Sequence, residues 1–306
     1  MENFATSTDI DICICTFRRA HLAETLQSLA QLTLSPDMRI SIIIADNDET
    51  PQASVLVNNL AQNFPHPIRY LHAPARNISI ARNACLDAAT ASFIAFLDDD
   101  ELATPGWLSA LVARQKKNGA DIVLGPVQAR YPDDAPAWLS REDFHSIKPV
   151  WVKGKIVTGY TSNVLFKRDI TLQPLLRFRT ELGRSGGEDT AFFFALHRAG
   201  RTITYAPEAV ITEEVAPERL QFSWLVKRAF RSGQTHGMLL LAETGSSLVP
   251  RLANLAQALA KASFCGAMAL GCLIVRGRTR FWALRGTLHL GAAARLLGFH
   301  ELTQYG

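Results

Sequence analysis

The chain of 306 residues reads as an α/β protein built on a mainly parallel sheet flanked by helices, followed by a helical tail. Three observations carry that reading. Short Ile-rich runs alternate with segments of helical period, which implies crossover connections between parallel strands. The first, second and fourth runs end in Thr16-Phe17, Asp46 and Asp98-Asp99-Asp100-Glu101, so polar groups gather on the rim where such sheets take ligands. The acid row itself follows directly on the apolar run Phe93-Ile-Ala-Phe-Leu97. Adjacent carboxylates repel, and a hard divalent cation accepts such oxygens and bridges to the phosphates of a nucleotide.

The elements follow in order. Residues 11–17, Asp-Ile-Cys-Ile-Cys-Thr-Phe, alternate as a first strand. Leu22, Leu26 and Leu29 mark a helix. Residues 39–45 hold Ile-Ser-Ile-Ile-Ile, a second and buried strand. A helix over 51–64 places Val55, Leu56 and Leu60 on one side. Residues 68–71 form a short third strand, 77–89 a helix and 93–97 the fourth strand. The acids that follow could open a helix, because Asp caps well and acids suit a first turn. Thr104-Pro105 offers a better start, so the acids belong to the strand end and the loop after it. Residues 107–118 are helical and end at Gly119; 121–127 form another strand.

Residues 131–151 are rich in proline and aromatics and lack a period, which suits a functional loop. Trp138, Trp151 and Tyr160 are candidates to line an acceptor groove, or are local core. Two short strands over 155–166, a Gly-rich approach over 183–187, a helix over 190–198 and one or two strands over 202–210 complete the body. The domain reading is a body over 1–218, halved at 125, and a tail over 219–306.

Charge is uneven. From position 219 onward there are eleven Lys or Arg against two acids, a net +9, which leaves −5 for the rest of a chain that carries +4. The overall charge is too mild for a dedicated nucleic-acid binder, whereas a basic, apolar tail on an acidic body suits an anionic surface. Residues 222–233 read as a basic amphipathic helix. Residues 252–275 are mostly apolar, broken by Asn254, Gln257 and Lys261. The uncharged run 262–275 is shorter than the about 20 residues a spanning helix needs, and Arg276, Arg278, Arg280 and Arg285 follow it. That pattern fits an interfacial or re-entrant helix at a membrane surface, or a helical subdomain packed on the body. The five cysteines show no C-x-x-C spacing and read as reduced thiols in a cytosolic compartment. The first residues carry no basic, apolar export leader.

Five motifs then occur in a fixed order: the first strand ending in Thr16-Phe17, Ile-Ile-Ile-Ala-Asp46, Ala81-Arg82-Asn83, Phe96-Leu-Asp-Asp-Asp100 and Gly187-Glu-Asp189. Together they resemble the inverting family-two glycosyltransferases of the GT-A fold, a Rossmann-like sheet. The resemblance covers residues 8–215, and Phe230-Arg-Ser-Gly-Gln-Thr-His-Gly237 extends it into the tail. It implies a UDP-sugar donor, UDP-glucose, and a lipid-linked oligosaccharide acceptor carried on polyprenyl diphosphate. It also implies Mg2+ or Mn2+ as cofactor, a β-linkage, and work on an exopolysaccharide at the cytosolic membrane face. Residues 1–125 would then form the nucleotide-sugar half and 126–218 the acceptor half.

The resemblance also assigns roles. Asp46 matches the residue that binds uracil, although a rim Asp can also cap the next helix. Thr16, Phe17 and Arg18 stand beside the donor; Phe17 stacks on the base or belongs to the core, and a Pro-x-Tyr-Asn found in many relatives is absent here. Arg76 and Arg82 reach phosphate or base, or Arg82 pairs with Asp98. Asp98 and Asp100 match the metal-binding Asp-x-Asp pair, with Asp98 also placed to hold the ribose or a metal-bound water; Asp99 is assigned to the donor. Many relatives add a His after a late strand, and here Glu213 or His236 would replace it. Asp189 matches the catalytic base, with Glu188 beside it on the donor, although the pair would also open a helix well. Arg228 and Arg231 lie where relatives hold the diphosphate, or are ordinary solvated charge. Two rival readings stand beside this one: a metal-using nucleotidyltransferase, and a non-catalytic carbohydrate-binding scaffold.

Overall fold

The computed structural model describes residues 7–18, 20–172, 175–245, 247–274 and 278–302. Among the sequence expectations, Arg19, Val275, Arg276 and the first six residues lie outside that set. The chain divides into two compact units.

The first unit comprises Met1–Arg130, His145–Arg184 and Glu188–Glu214. It opens with β1 (Thr8–Thr16), α1 (Leu22–Ala30), β2 (Met38–Asp46), α2 (Ala53–Ala61), β3 (Ile68–His72), α3 (Ile78–Ala88) and β4 (Phe93–Leu97). These are the predicted elements, within two or three residues at each end. The first strand shows why they form. Its even positions Ile10, Ile12 and Ile14 pack on α1 and on the helix that follows the acid row; its odd positions Cys13 and Cys15 pack with Cys85 of α3 on the other face. A period of two with both faces buried is the signature of an internal strand. Asn77 caps α3 by accepting from the N–H groups of Ser79 and Ile80.

β5 (Glu101–Ala103), α4 (Trp107–Asn118), β6 (Ile122–Leu124) and β7 (Val127–Arg130) follow, then a short α5 (Ala137–Glu142). After these come β8 (Trp151–Val152), β9 (Lys155–Ile156), β10 (Asn163–Lys167), α6 (Glu188–Arg198), β11 (Ile203–Tyr205) and β12 (Ile211–Glu214). The main sheet runs β11-β6-β10-β4-β1-β2-β3, with β10 antiparallel to its neighbours. The order turns round between β1 and β4, so their carboxyl ends flank the position where ligands of open α/β sheets bind.

A single strand over 121–127 is what the sequence predicts; the structure breaks it in two. β6 lies in the main sheet and β7 joins β12 and β5 in a small second sheet. Asn163 makes the break. Its side chain donates to the carbonyls of Pro126 (2.9 Å) and Ala209 (2.8 Å) and accepts from the Trp107 ring N–H (2.8 Å). Gly125 leaves room for it, since a Cβ there would stand 2.5 Å from the Asn163 amide nitrogen.

The second unit comprises Tyr131–Phe144, Ser185–Gly187 and Val215–Gly306. Part of the stretch predicted as irregular is therefore the helix α5, whose Leu139 and Trp138 pack with Leu225, Phe222 and Leu284. Trp138 sits in this core, with Arg280 over its ring at 4.7 Å. Three long helices follow: α7 (Phe222–Thr244), α8 (Leu248–Ile274) and α9 (Thr279–Leu296). α7 runs eleven residues past the predicted end, and α9 is new. Glycines explain both. A Cβ on Gly233 would lie 1.9 Å from the Leu288 carbonyl oxygen, and one on Gly291 2.0 Å from that of Phe230. Residues that read as helix breakers are here the points of closest backbone approach between α7 and α9.

α8 is turned apolar side outward. Leu248, Leu252, Leu270, Leu273 and Ile274 are 61–86% exposed. Arg251 turns inward and donates to the Leu296 carbonyl (2.7 Å). Lys261, nine residues past Leu252, falls on the opposite side of the helix. Its mean hydropathy reaches 1.4 over 18 residues, long and apolar enough to cross a membrane.

Candidate active site

The acid row divides by burial. Asp98 and Asp100 keep part of their surface in solvent, while Asp99 and Glu101 are buried. Asp99 ties the row to the end of β1: its carboxylate accepts from the Phe17 N–H (3.4 Å) and its carbonyl from the Thr25 hydroxyl (3.0 Å). Glu101 folds back to accept the Asp98 N–H (2.8 Å). It also stands opposite Glu213 in the β5–β12 ladder, a cross-strand pair whose side chains share a face. Glu213, one of the two residues expected to replace a missing His, is thus placed at the acid corner. His236, the other, belongs to α7 of the second unit.

This crowd shifts its own protonation. Burial pushes Asp98 up to about 7, Arg82 opposes, and Asp100, Asp99 and Glu213 push further. The Asp98 side chain is 42% exposed, so solvent moderates the shift. Glu101 rises well above the carboxylate range through burial and then through Asp98 and Glu213. Five carboxylates crowd this corner, and burial with the neighbouring charge pushes Asp98 and Glu101 up, a setting that suits a hard cation. Asp98 and Asp100 would hold it, with Glu213 adding negative charge beside them. Among the described residues no three or more His, Cys, Asp or Glu form a metal cage. An ion here would have two protein carboxylates and would take its other ligands from substrate phosphates and water, as Mg2+ commonly does.

Arg82 links this corner to the predicted base. It projects from α3, is 6% exposed, pairs with Glu188 and lies 3.8 Å from Asp98. Phe178 lies under the guanidinium at 5.6 Å. Burial alone lowers the pKa of this group, but Glu188, Asp98 and Asp189 more than offset it and hold the charge. The expected pairing of Arg82 with Asp98 is present but long, and Glu188 is the tighter partner. Glu188 and Asp189 open α6, where the positive end of the helix favours carboxylates. Burial pushes Asp189 up to about 6, Glu188 adds to this, and Arg82 and the Thr190 N–H (2.6 Å) act against it.

At the ends of β1 and β2 the arrangement differs from the simplest expectation. Asp46 is 1% exposed, and its carboxylate accepts from the N–H groups of Asp48 (3.0 Å) and Ala53 (3.1 Å) and from the Tyr70 hydroxyl (2.7 Å). It acts as a cap for α2 here. Asp48, which the sequence reading passed over, takes a two-pronged contact from Arg18 at 2.8 and 2.9 Å. The run Asp46-Asn47-Asp48 was the available signal. Phe17 is 38% exposed with the Arg18 guanidinium over its ring at 5.2 Å, so it lies on the rim and not in the core. Thr16 is buried, and its hydroxyl has no hydrogen-bond partner. Arg76 is half-exposed and pairs with Glu49 (3.4 Å).

Arg228 and Arg231 lie on α7. Arg228 stacks on Trp224 at 5.4 Å. Arg231 is 4% exposed and donates to the carbonyls of Ser185 and Gly186 and to the Thr235 hydroxyl.

The similarities of this chain, with its 3-2-1-4 sheet core, Asp-x-Asp corner and late Glu-Asp pair, put it in a sugar-transferring class of enzyme. The chain belongs to glycosyl transferase family 2, whose model matches residues 11–173. It is 49% identical over 297 residues to the succinoglycan biosynthesis protein ExoM of Rhizobium meliloti (strain 1021), covering 97% of this chain and 96% of that one. It is 24% identical over 245 residues to the glucosyl-dolichyl phosphate glucuronosyltransferase of Haloferax volcanii, covering 73% and 75%. Among solved structures it shares the fold of S. aureus TarS residues 1–349 in complex with UDP-GlcNAc. That match has a TM-score of 0.53 at 14% identity over 92% of this chain and 90% of that one.

Proposed function

We propose that this glycosyltransferase moves a hexose, glucose from UDP-glucose, onto a polyprenyl-diphosphate-linked oligosaccharide with inversion to a β-linkage. The product is a repeat unit of a succinoglycan-like exopolysaccharide. The observation that carries this reading is Arg82, which faces the Asp98 corner and the Glu188-Asp189 pair at once. This arrangement supports a reading in which donor-side and acceptor-side carboxylates serve one site. The relative of 49% identity supports the product class.

Asp189 accepts the proton of the acceptor hydroxyl as that oxygen bonds to the anomeric carbon and the bond to UDP breaks. A single displacement inverts the centre, so an α-linked donor gives a β-linked product, and no covalent glycosyl-enzyme forms. A base near pKa 6 is ionised at neutral pH yet basic enough for the task. Phe17 offers its exposed ring to the uracil, with Arg18, Thr16 and Asp46 setting the shape of that rim. Arg76 supplies positive charge toward the donor phosphates. When bound at Asp98 and Asp100, Mg2+ or Mn2+ supplies charge neutralisation for the leaving diphosphate. Residues 1–125 carry the donor, 126–218 the acceptor, and 219–306 meet the cytosolic face of the membrane through the outward apolar side of α8.

The test is incubation with radiolabelled UDP-glucose, Mn2+ or Mg2+, and lipid-linked oligosaccharide extracted from membranes. Label in the lipid fraction with release of UDP is expected, and both vanish in Asp189→Asn. Release of pyrophosphate, or full turnover by folded Asp189→Asn, overturns the reading.

A further inference from the structure

We propose that Arg231 is a positioning residue that, with Thr235, clamps the turn from which the catalytic helix α6 begins. The proposal rests on the reading of Asp189 as the base.

Ser185, Gly186 and Gly187 immediately precede Glu188 and Asp189. Gly186 and Gly187 have φ of 88° and 84°, a conformation open to glycine and strained for other residues. Two such glycines in succession leave the approach to a helix soft unless something holds it. Arg231 holds it. Its Nε donates to the Ser185 carbonyl at 2.7 Å, one terminal nitrogen donates to the Gly186 carbonyl, and the other donates to the Thr235 hydroxyl at 2.8 Å. Thr235 closes the other side: a Cβ on Gly187 would lie 2.6 Å from its hydroxyl oxygen. Arg231 and Thr235 are one helical turn apart on α7 and present one face.

Every guanidinium nitrogen of this 4%-exposed side chain is therefore engaged with the protein. Such a group does not grip a diphosphate as well. The rigid, planar fork of Arg suits two successive carbonyls, and Lys cannot reproduce it. Gly187 is bonded to Glu188, so ordering the peptides of 185–187 restrains the chain that enters the first turn of α6, on which Asp189 stands. A base misplaced by about 1 Å loses on the order of 100-fold in rate.

The experiment compares full-length wild type with Arg231→Ala, Arg231→Lys and Thr235→Val, with Asp189→Asn run alongside. UDP-glucose is the donor and membrane-extracted lipid-linked oligosaccharide the acceptor. Arg231→Ala is expected to lose about 100-fold in kcat with donor KM within about twofold, and added guanidinium ion restores part of the rate. A merely structural defect would not respond to guanidinium. Arg231→Lys retains less than a tenth of the rate, and Thr235→Val loses less than Arg231→Ala. Should Arg231→Ala fail to fold, the Lys and Val variants still decide. A rise in donor KM at constant kcat shows that Arg231 contacts the donor and overturns the proposal. So does wild-type kcat in all three variants. An inactive Asp189→Asn beside fully active Arg231 variants overturns the clamp alone; an active Asp189→Asn overturns the base and the clamp together.

Discussion

The Arg82 guanidinium rests on the Glu188 carboxylate, 106 positions later in the chain, and both side chains are more than nine-tenths buried. A buried pair of this kind contributes little as a pair, but removing one partner strands the other charge. Arg82→Met should therefore cost about 3–5 kcal/mol in urea unfolding. The double variant Arg82→Met/Glu188→Gln should be more stable than the sum of the two single changes predicts. Additive effects would show that the two residues do not act together.

Glu188 also sets the working range of its neighbour. As the proposed base, Asp189 must be ionised to accept a proton, and its pKa of about 6 should put the acid limb of kcat there. Below it the rate falls about tenfold per pH unit. Glu188 is one of the groups that raises Asp189, while Arg82 lowers it. Taking away the Glu188 charge leaves Arg82 unopposed, so Glu188→Gln moves the limb to lower pH. A pH profile of kcat measures this, and a limb that stays put or moves up removes Glu188 from the account. Asp189→Asn, which cannot accept the proton, loses about 10²–10⁴-fold.

How far the sequence revealed the fold depended on how local the cause was. Strands β1, β2 and β4 and helix α4 followed from period, capping and Gly119, all of which act within a few residues. The split of β6 from β7 did not, because its cause is Asn163, almost 40 positions away, bonding to Pro126 and Ala209. The length of α7 and the existence of α9 were hidden for a similar reason. Gly233 and Gly291 break helices in isolation, and only the partner helix explains them. In the site, residue types and order marked Asp98, Asp100, Glu188 and Asp189. Which acids were buried was not legible, since that is decided by the β5–β12 ladder and by Arg82. Arg231 carried a charge that invited a ligand, and only its burial shows that backbone carbonyls are its partners.

Asn163 gives a test of the break between sheets. Asn163→Leu keeps the volume but leaves the Trp107 N–H and the Ala209 carbonyl unpaired in the interior, while the Pro126 carbonyl keeps the Ile211 N–H (3.3 Å). Each unmet buried group costs about 1–3 kcal/mol, so the variant should lose at least about 2 kcal/mol and shift the near-ultraviolet signal of Trp107. A loss below about 1 kcal/mol would show that water replaces the amide.

The Glu101–Glu213 pair sets stability against metal binding. Like charges directly opposite on two strands destabilise a sheet; here Glu213 pushes both its partner Glu101 and Asp98 up. Glu213→Gln should raise the melting temperature in EDTA, because it relieves that repulsion. The same change should weaken Mn2+ binding about tenfold, read by titration without donor, through loss of a carboxylate beside the two proposed ligands. Weaker binding with no gain in stability would mean that Glu213 is already neutral in the metal-free chain.

The outward face of α8 is where solvent and sequence disagree most sharply. Leu270, Leu273 and Ile274 are 64–86% exposed and occupy the last turns of the helix, with Arg278, Arg280 and Arg285 following in the chain. Burying leucine-sized side chains yields about 1.5–3 kcal/mol each, and cations near an anionic surface add about 1 kcal/mol apiece. Together these are ample for reversible binding. Leu270→Asp/Leu273→Asp should abolish co-sedimentation with vesicles containing phosphatidylglycerol while leaving binding of UDP-glucose unchanged. Replacing the three arginines by Gln should weaken co-sedimentation chiefly at low salt, where screening is least. If the aspartate variant still sediments with vesicles, lipid does not cover this face. If it also loses UDP-glucose, the change has damaged the fold and not a surface contact.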